Sequence, residues 1–352
     1  MRLEERARVS RSAAIVAPLG AVAVTLVISA LLVTWAGAPV LKSFAALLEG
    51  GFGSRFALAE TLTRATPLIF TGLAAAVAFR ARFFNIGAEG QLYLGALAAV
   101  AVGGQLGNAF ELPASVLFVA MIVAAALAGS AWLAIAAVLR TRLAVDEVVI
   151  TLLANFIVLL FVSWMLDGPM KDPTAMGWPQ SVSLPAELEL AKLIERTRLH
   201  SGFVIALGCA VAVWAVSKFT AFGFEARAVG ANAQAARFAG IHVDATVIKT
   251  ALISGALAGL AGAIEVAGRT SYVTLDMSPG YGYAGIVVAM LAALHPLAVV
   301  PAAIFIAGMF VGADSMSRAV SVPTYIADVI VAVSLLAVLV ATQVVRYRIR
   351  WR

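Results

Sequence analysis

The sequence predicts an all-α fold, that of a polytopic integral membrane protein with about ten transmembrane helices. Of its 352 residues, 62% are hydrophobic and only 12% are charged, whereas a typical soluble domain is about 45–50% apolar and about 25% charged. Roughly ten apolar stretches, separated by short polar breaks, account for most of the chain. This composition excludes a soluble globular protein and a disordered chain, so we expect a single transmembrane domain over 1–352.

The predicted spans form two sets of five. The first set is 13–36, 62–79, 83–104, 113–139 and 143–166. The second set is 202–217, 246–268, 281–294, 297–312 and 324–345. The apolar run of the first span is longer than the roughly 7–15 residues of a secretory signal, so we expect an uncleaved anchor.

The distribution of basic residues predicts the orientation of these spans. An even number of spans places both termini on one side, and cytoplasmic termini put 16 of the 25 Lys and Arg residues in the cytoplasm. The positive-inside rule favours this arrangement. Segment 167–201 is then an extracytoplasmic loop, and 219–245 is a cytoplasmic loop. The net charge of +6 reflects orientation and anionic lipid, so we expect no nucleic acid partner.

The sequence lacks the common motifs of hydrolytic and redox enzymes. It contains no Gly-Lys-Ser/Thr phosphate loop and no HExxH, CxxC or GxSxG motif. The single cysteine, Cys209, lies in an apolar run and predicts no disulfide and no cysteine metal site. His200, His242 and His295 fall near different predicted membrane surfaces, so they predict no shared metal site. We expect a protein that is not an enzyme and does not hydrolyse ATP by itself.

Polar side chains inside the third predicted span mark a candidate transport path, because such groups are costly in a membrane unless they are paired or face water. In FFNIGAEGQLYLG, Asn85, Glu89 and Gln91 alternate with glycines. This pattern is typical of a broken or re-entrant segment, which is tolerated only beside protein or water. A tight helix crossing with Glu89 paired to another group explains the pattern equally well.

A second group of polar residues lies in DEVVITLLAN. Glu147, Thr151 and Asn155 recur every four residues and therefore share one helix face. On a membrane helix such a stripe points away from lipid, either into a cavity or against neighbouring helices.

Small residues dominate a third region, SGALAGLAGAIEVAGR. Gly255, Gly259 and Gly262 form a face that predicts close helix packing. Glu265 and Arg269 are four residues apart and are placed to neutralise each other on one helix. An intramembrane carboxylate is also a candidate proton carrier, which leaves a second role open for Glu265.

The cytoplasmic loop contains a predicted two-turn helix. Asn232 is a suitable N-cap, alanines follow it, Arg237 lies in the last turn, and Gly240 is a suitable C-cap. So short a helix is not stable alone. It either docks on a partner or lies on anionic lipid, for which Arg227 and Arg237 are suited.

Together these segments resemble the permease subunits of ATP-binding-cassette importers in the branched-chain amino acid, simple sugar and nucleoside group. The likeness runs from about residue 60 to the end. It rests on FNIGAEGQ, DEVVITLLAN, RAVGANAQAARFAGI, SGALAGLAGA and GYGYAGIVVAMLAALHP, in this order. The FNIGAEGQ form and the chain length are most similar to the longer permease of nucleoside-type importers. Ala233 and Ala154 depart from the proline and the bulkier residue that are usual in the family.

The resemblance implies that several other proteins bind this chain. The alanine-rich loop would be the coupling helix that docks on a cytoplasmic ATP-binding subunit, which would bind the ATP, so we expect no cofactor in this chain. The docking residues would be Gly230, Asn232, Ala235, Ala236, Arg237 and Gly240. The resemblance also implies a second permease chain, in a heterodimer, an extracytoplasmic substrate-binding lipoprotein, a bacterial inner membrane location, and inverted repeats that relate spans two to five to spans seven to ten.

We therefore expect a permease that translocates a small polar solute, nucleosides first, with simple sugars or branched-chain amino acids as alternatives. The expected path residues are Asn85, Glu89, Gln91, Glu147, Thr151 and Asn155. They would bind hydroxyl or amide groups of a neutral solute, since no dense charge cluster predicts an ion. A proton-coupled secondary transporter, with Glu89 or Glu265 as proton carrier, is the alternative from another class.

Overall fold

A computed structural model describes residues 2–5, 11–106 and 112–350. This part of the chain is predominantly helical, as predicted. Its α-helices are α1 (Arg11–Trp35), α2 (Val40–Phe52), α3 (Arg55–Arg80), α4 (Ala88–Val100), α5 (Ala114–Leu143), α6 (Glu147–Asp167), α7 (Gly202–Phe219), α8 (Ala221–Ala231), α9 (Ala233–Phe238), α10 (Val243–Glu265), α11 (Tyr281–Leu291), α12 (Pro296–Val320) and α13 (Thr324–Arg346). Two π-helical turns extend α4 and α10, over Ala101–Leu106 and Val266–Thr270. Ala186–Leu188 forms a 3₁₀ turn, and strands β1 (Arg2–Glu5) and β2 (Tyr347–Arg350) pair antiparallel.

The helices confirm a polytopic membrane protein but not the count of about ten spans. Within the described residues, six helices are long and apolar enough to cross a membrane, or seven if a bent pair counts as one span. The six are α3, α5, α6, α7, α10 with its π turn, and α12. The predicted span 281–294 corresponds to α11, which has only 11 residues, and 83–104 corresponds to α4 with its π turn, 88–106, which is not among the six. Polar or glycine-rich segments before each helix shorten it.

Helix α2 lies where the sequence predicted no helix. It bends by 116° from the preceding helix after a break of a few residues. Gly37 adopts a left-handed conformation (φ +75°) in this break, and Pro39 precedes the new helix. The buried face of α2 consists of Ser43, Leu47 and Gly51.

The chain divides into two compact units, and the division falls within α3 and α12. Unit 1 comprises 1–61 and 305–352, and unit 2 comprises 62–304. In unit 1, α1 packs on α13 around Val33, Met316 and Ile330.

Unit 2 is built around α10, which packs against α4, α5 and α8. The three glycines predicted to form a packing face lie at these contacts. Gly255 and Gly259 lie against the backbone of α5, and Gly262 lies against the Leu92 carbonyl of α4, with no room for a Cβ atom. Direct backbone contact of this kind allows helices to approach closely in a membrane.

The predicted extracytoplasmic loop packs on the end of α10. Ser181 N–H donates to the Val273 carbonyl (3.1 Å), and Leu184 N–H donates to the Ser271 carbonyl (2.7 Å). His200 is completely buried, and its Nδ1 accepts from Gly202 N–H (3.2 Å). Burial, and to a lesser degree the charge of Arg269, lowers the pKa of His200 to about 4.

Candidate functional site

An extended segment, Arg82–Gly87, joins α3 to α4 in the interior of unit 2. Arg82 has a positive φ (51°), which ends the helical path of α3. The residues that follow run without helical hydrogen bonds until α4 begins at Ala88. Buried backbone groups in such a segment need partners from elsewhere in the chain. The predicted polar residues supply most of these partners.

Asn85 and Gln91 form a reciprocal amide pair. Each amide nitrogen donates to the other's oxygen at 2.9 Å, and both side chains are almost completely buried. Asn85 Nδ2 also donates to Ser254 Oγ (3.1 Å), and its Oδ1 accepts from Gly87 N–H (2.9 Å). Asn85 therefore ties the extended segment to both α4 and α10.

The stripe on α6 holds the backbone of the same segment. Thr151 Oγ1 accepts from Ile86 N–H (3.1 Å). Asn155 Oδ1 accepts from Gly90 N–H (2.9 Å), and its Nδ2 donates to the Ile86 carbonyl (3.0 Å) and the Tyr283 hydroxyl (3.0 Å). The helix face predicted to line a path thus binds the chain itself, at positions 65 and 69 residues away in sequence.

Glu147 lies at the N-terminal end of this stripe, as the first residue of α6. Its carboxylate pairs with Arg140 at 2.9 Å and accepts from Phe84 N–H at 3.3 Å. Arg140 also donates to the Arg82 carbonyl (2.8 Å) and lies over the Phe83 ring, 5.4 Å from its centroid. Glu147 and Arg140 together bond the backbone at the start of the extended segment. Arg140 was not among the predicted site residues, although its seven-residue spacing from Glu147 across a helix break was a usable signal.

Glu89 points to a different helix. Its carboxylate accepts from Gly282 N–H (2.6 Å) at the start of α11, and it is 4% exposed. An anionic group there interacts favourably with the partial positive charge of the helix N-terminus. Gly282 lies directly against the backbone at Glu89, with no room for a Cβ atom. Glu89 is therefore paired within the protein, as one of the two sequence interpretations expected.

A cavity of about 310 Å³ lies between α5 and α6, next to these polar groups. Gln91 and Thr151 line it together with apolar side chains and Trp132. The indole Nε1 of Trp132 is buried and has no hydrogen-bond partner among the described residues. The volume of the cavity is at the lower end of the roughly 300–1,000 Å³ range of small-molecule sites. Trp132 was not among the residues predicted from the sequence.

The short helix predicted within 219–245 is confirmed as α9. Asn232 Oδ1 caps it by accepting from the N–H groups of Gln234 and Ala235, both at 3.0 Å, and Gly240 follows it with φ +83°. Of the six predicted docking residues, Asn232, Ala235, Arg237 and Gly240 are exposed. The structure places the other two inside unit 2, so they position the helix and present no docking surface: Gly230 lies against the Arg80 carbonyl, and Ala236 lies in the core. Phe238, which the sequence analysis did not identify, is 95% exposed on α9.

The acidic residue of α10 also has a partner within the chain. Glu265 forms an ion pair with Arg269, one turn away, and Arg269 donates to the Met277 carbonyl (2.8 Å). Among the described residues, no group of three or more His, Cys, Asp or Glu side chains is placed to hold a metal ion.

Comparison with known proteins finds permease components of transport systems. Residues 57–339 match the family model of the permease component of branched-chain amino acid transport systems. The guanosine ABC transporter permease protein NupP of Bacillus subtilis is 36% identical over 333 residues, 94% of each chain. The glucose ABC transporter permease protein TsgB13 of Haloferax volcanii is 36% identical over 344 residues, 89% of each chain.

A nucleoside relative is more distant. The nucleoside ABC transporter permease protein NupB of Lactococcus lactis is 28% identical over 327 residues, 90% of this chain and 88% of the relative. No solved structure matches the chain.

Proposed function

The chain belongs to the family of permease components of branched-chain amino acid transport systems, and from this membership we propose that it translocates nucleosides as the permease of an ATP-binding-cassette importer. The observation that carries the nucleoside assignment is the 36% identity to a guanosine permease over 94% of both chains. The nucleoside permease NupB supports the same solute class.

The cavity beside the polar cluster supports a neutral, partly aromatic solute. Its walls are apolar apart from Gln91 and Thr151, and Trp132 offers a ring and a buried N–H group. A nucleoside has an aromatic face for stacking and amide-like edges for hydrogen bonds. Glu89 and Glu265, the carboxylates that a proton-coupled transporter would use, bond Gly282 and Arg269 instead.

A permease of this family works with an ATP-binding subunit and a substrate-binding protein. The finer assembly is part of the proposal: a heterodimer with a second permease chain, a lipid-anchored receptor, an inner-membrane location and both termini in the cytoplasm. The exposed face of α9, with Ala235, Arg237 and Phe238, supports docking of the ATP-binding subunit there. That subunit would bind the ATP, and this chain would need no cofactor.

The test is uptake of radiolabelled guanosine into cells, with unlabelled glucose and leucine as competitors. Cells lacking this chain, and cells whose partner subunit cannot hydrolyse ATP, should both lose guanosine uptake, and neither competitor should reduce it in wild type. Glucose is the second candidate, because the glucose permease relative is also 36% identical. Guanosine uptake that survives without the ATPase and collapses with the proton gradient would overturn the proposal.

The role of the cavity can be tested separately. Trp132→Phe keeps the ring but removes the N–H group, so it should raise KM for guanosine about tenfold, the effect of one lost hydrogen bond. Trp35→Phe is the matched control, because Trp35 is 82% exposed on α1. Equal kinetics for the two variants would show that solute does not bind at Trp132.

A further inference from the structure

A second cavity of unit 2, which the proposed function does not use, lies where α3, α7, α8 and α10 meet. Its volume is about 240 Å³. The walls are almost entirely apolar and include Val77, Val213, Val216, Phe222 and Ile253. The charged group among its lining residues is Arg80, the last residue of α3.

Each of the four helices that form this cavity carries a basic residue, and Arg80 of α3 lines the cavity itself. Arg227 of α8 donates to the carbonyl of Ser217, which lines the cavity. Lys218 of α7 lies over the Trp214 ring, 5.1 Å from its centroid. Lys249 of α10 is exposed and lies one helical turn before Ile253, on the same face.

Among the described residues, no carboxylate forms an ion pair with Arg80 or Arg227. The nearby acidic residues bond other groups: Glu225 accepts from the Thr246 hydroxyl (3.4 Å), and Asp244 pairs with Arg237 (3.0 Å). Arg80 is half-buried at the cavity wall and Arg227 is exposed beside the cavity, and two arginines without a carboxylate partner next to the same space favour a bound anion.

We propose that this cavity binds an anionic phospholipid, with its phosphate between Arg80 and Arg227 and part of one acyl chain in the apolar space. An inorganic phosphate would make no apolar contacts with the cavity walls, whereas an uncharged lipid would provide no negative charge next to the two arginines. Three of the four helices, α3, α7 and α10, are apolar enough to span a membrane, and basic pockets between such helices are typical sites for lipid phosphate groups. Because α8 leads directly into α9, the bound lipid would also steady the segment that we propose docks the ATP-binding subunit.

The experiment measures lipid retention by native mass spectrometry. The full chain, purified with its partner subunits, is incubated with phosphatidylglycerol or phosphatidylcholine of the same acyl composition. Wild type should retain phosphatidylglycerol preferentially, and Arg80→Gln and Arg227→Gln should each weaken that retention about fivefold. The matched control is Arg142→Gln, because Arg142 is an exposed basic residue that forms no ion pair among the described residues and does not line the cavity.

A second variant tests the acyl-chain part. Ala212 lines the cavity and is exposed, so Ala212→Leu fills the space without disturbing the core. This variant should retain less phosphatidylglycerol than wild type. Equal retention of the two lipids by wild type, or retention unchanged in both arginine variants, would overturn the proposal. Displacement of phosphatidylglycerol by millimolar inorganic phosphate would overturn it too, and would assign the arginines to a free anion.

Discussion

Asn155 shows how single polar side chains organise unit 2. One amide group binds the N–H of Gly90, the carbonyl of Ile86 and the hydroxyl of Tyr283. Two of these partners are backbone groups that would otherwise be unpaired in a water-free interior, where an unmade hydrogen bond is expensive. The side chain is therefore required both for the shape of the segment and for any solute path beside it.

Replacing Asn155 by Ala should lower the free energy of unfolding by about 3 kcal/mol, because it leaves buried donors and acceptors without partners, and guanosine uptake should be lost. Thermal unfolding of the purified chain in detergent measures the stability. Tyr283→Phe is the control, since it removes a single partner and leaves the backbone bonds of Asn155 in place. Equal unfolding temperatures for the two variants would contradict the assigned role.

His200 predicts a dependence of stability on pH. Its folded pKa of about 4 lies below the ordinary value of 6.5, so the unfolded chain binds a proton that the folded chain excludes. The contribution of neutral His200 to the free energy of unfolding is therefore fully present above about pH 6.5. It is lost as the pH drops towards 4, by up to about 3 kcal/mol. The difference in unfolding temperature between wild type and His200→Gln, measured from pH 7.5 to 4.5, should narrow or reverse on acidification. A difference independent of pH would contradict the assignment.

At the scale of elements, contacts between helix backbones determine the packing of unit 2. Gly259 of α10 lies against the Ala125 carbonyl of α5, and Gly95 of α4 lies against Gly259 itself. Three helices therefore meet at one point without side chains between them. Such contacts depend on van der Waals packing, because lipid supplies no hydrophobic drive for helices to associate.

Gly259→Ala should destabilise the chain, by about 1–3 kcal/mol, because the added methyl group overpacks this contact. Gly208→Ala is the matched control on α7, where a Cβ atom would meet nothing within 4 Å. There alanine should be neutral or stabilise by up to about 1 kcal/mol, through its higher helix propensity. The unfolding temperatures of the two variants are compared in detergent. Equal shifts in the two variants would contradict the packing argument.

At the scale of the whole molecule, the charge distribution predicts which side of the membrane each loop faces. The distribution of Lys and Arg predicts that the α8–α9 loop is cytoplasmic and that 167–201 is extracytoplasmic. Exposed residues in each loop, Ala235 and Met176, provide sites for labelling. Cys209 is the only cysteine in the sequence and can be removed first.

In a Cys209→Ser background, Ala235→Cys should react with an impermeant maleimide only in inverted vesicles, and Met176→Cys only in right-side-out vesicles. Each variant is the control for the other, because both side chains are exposed. The reverse pattern would invert the proposed orientation. Labelling of both variants in one vesicle type would show that the two loops share a side.

The sequence by itself determined the membrane class, the α9 helix with its Asn232 cap, and the family to which the chain belongs. These properties depend on composition and on residues close together in the chain. It also located the polar residues of α6 and of the segment before α4, but it did not reveal what they bond. It missed α2, a helix of 13 residues whose buried residues Ser43, Leu47 and Gly51 recur every four positions.

Only the tertiary structure decided that Thr151 and Asn155 bind the backbone of Ile86 and Gly90, that Glu89 bonds Gly282 of α11, and that Gly230 is buried. The physical reason is that a buried polar group must find a partner, and its choice is set by which helices pack against it. The spacing of Thr151 and Asn155 shows that they share a face, but it contains no information about a segment 65 residues away. Local patterns determine which residues avoid lipid, whereas packing determines what they contact.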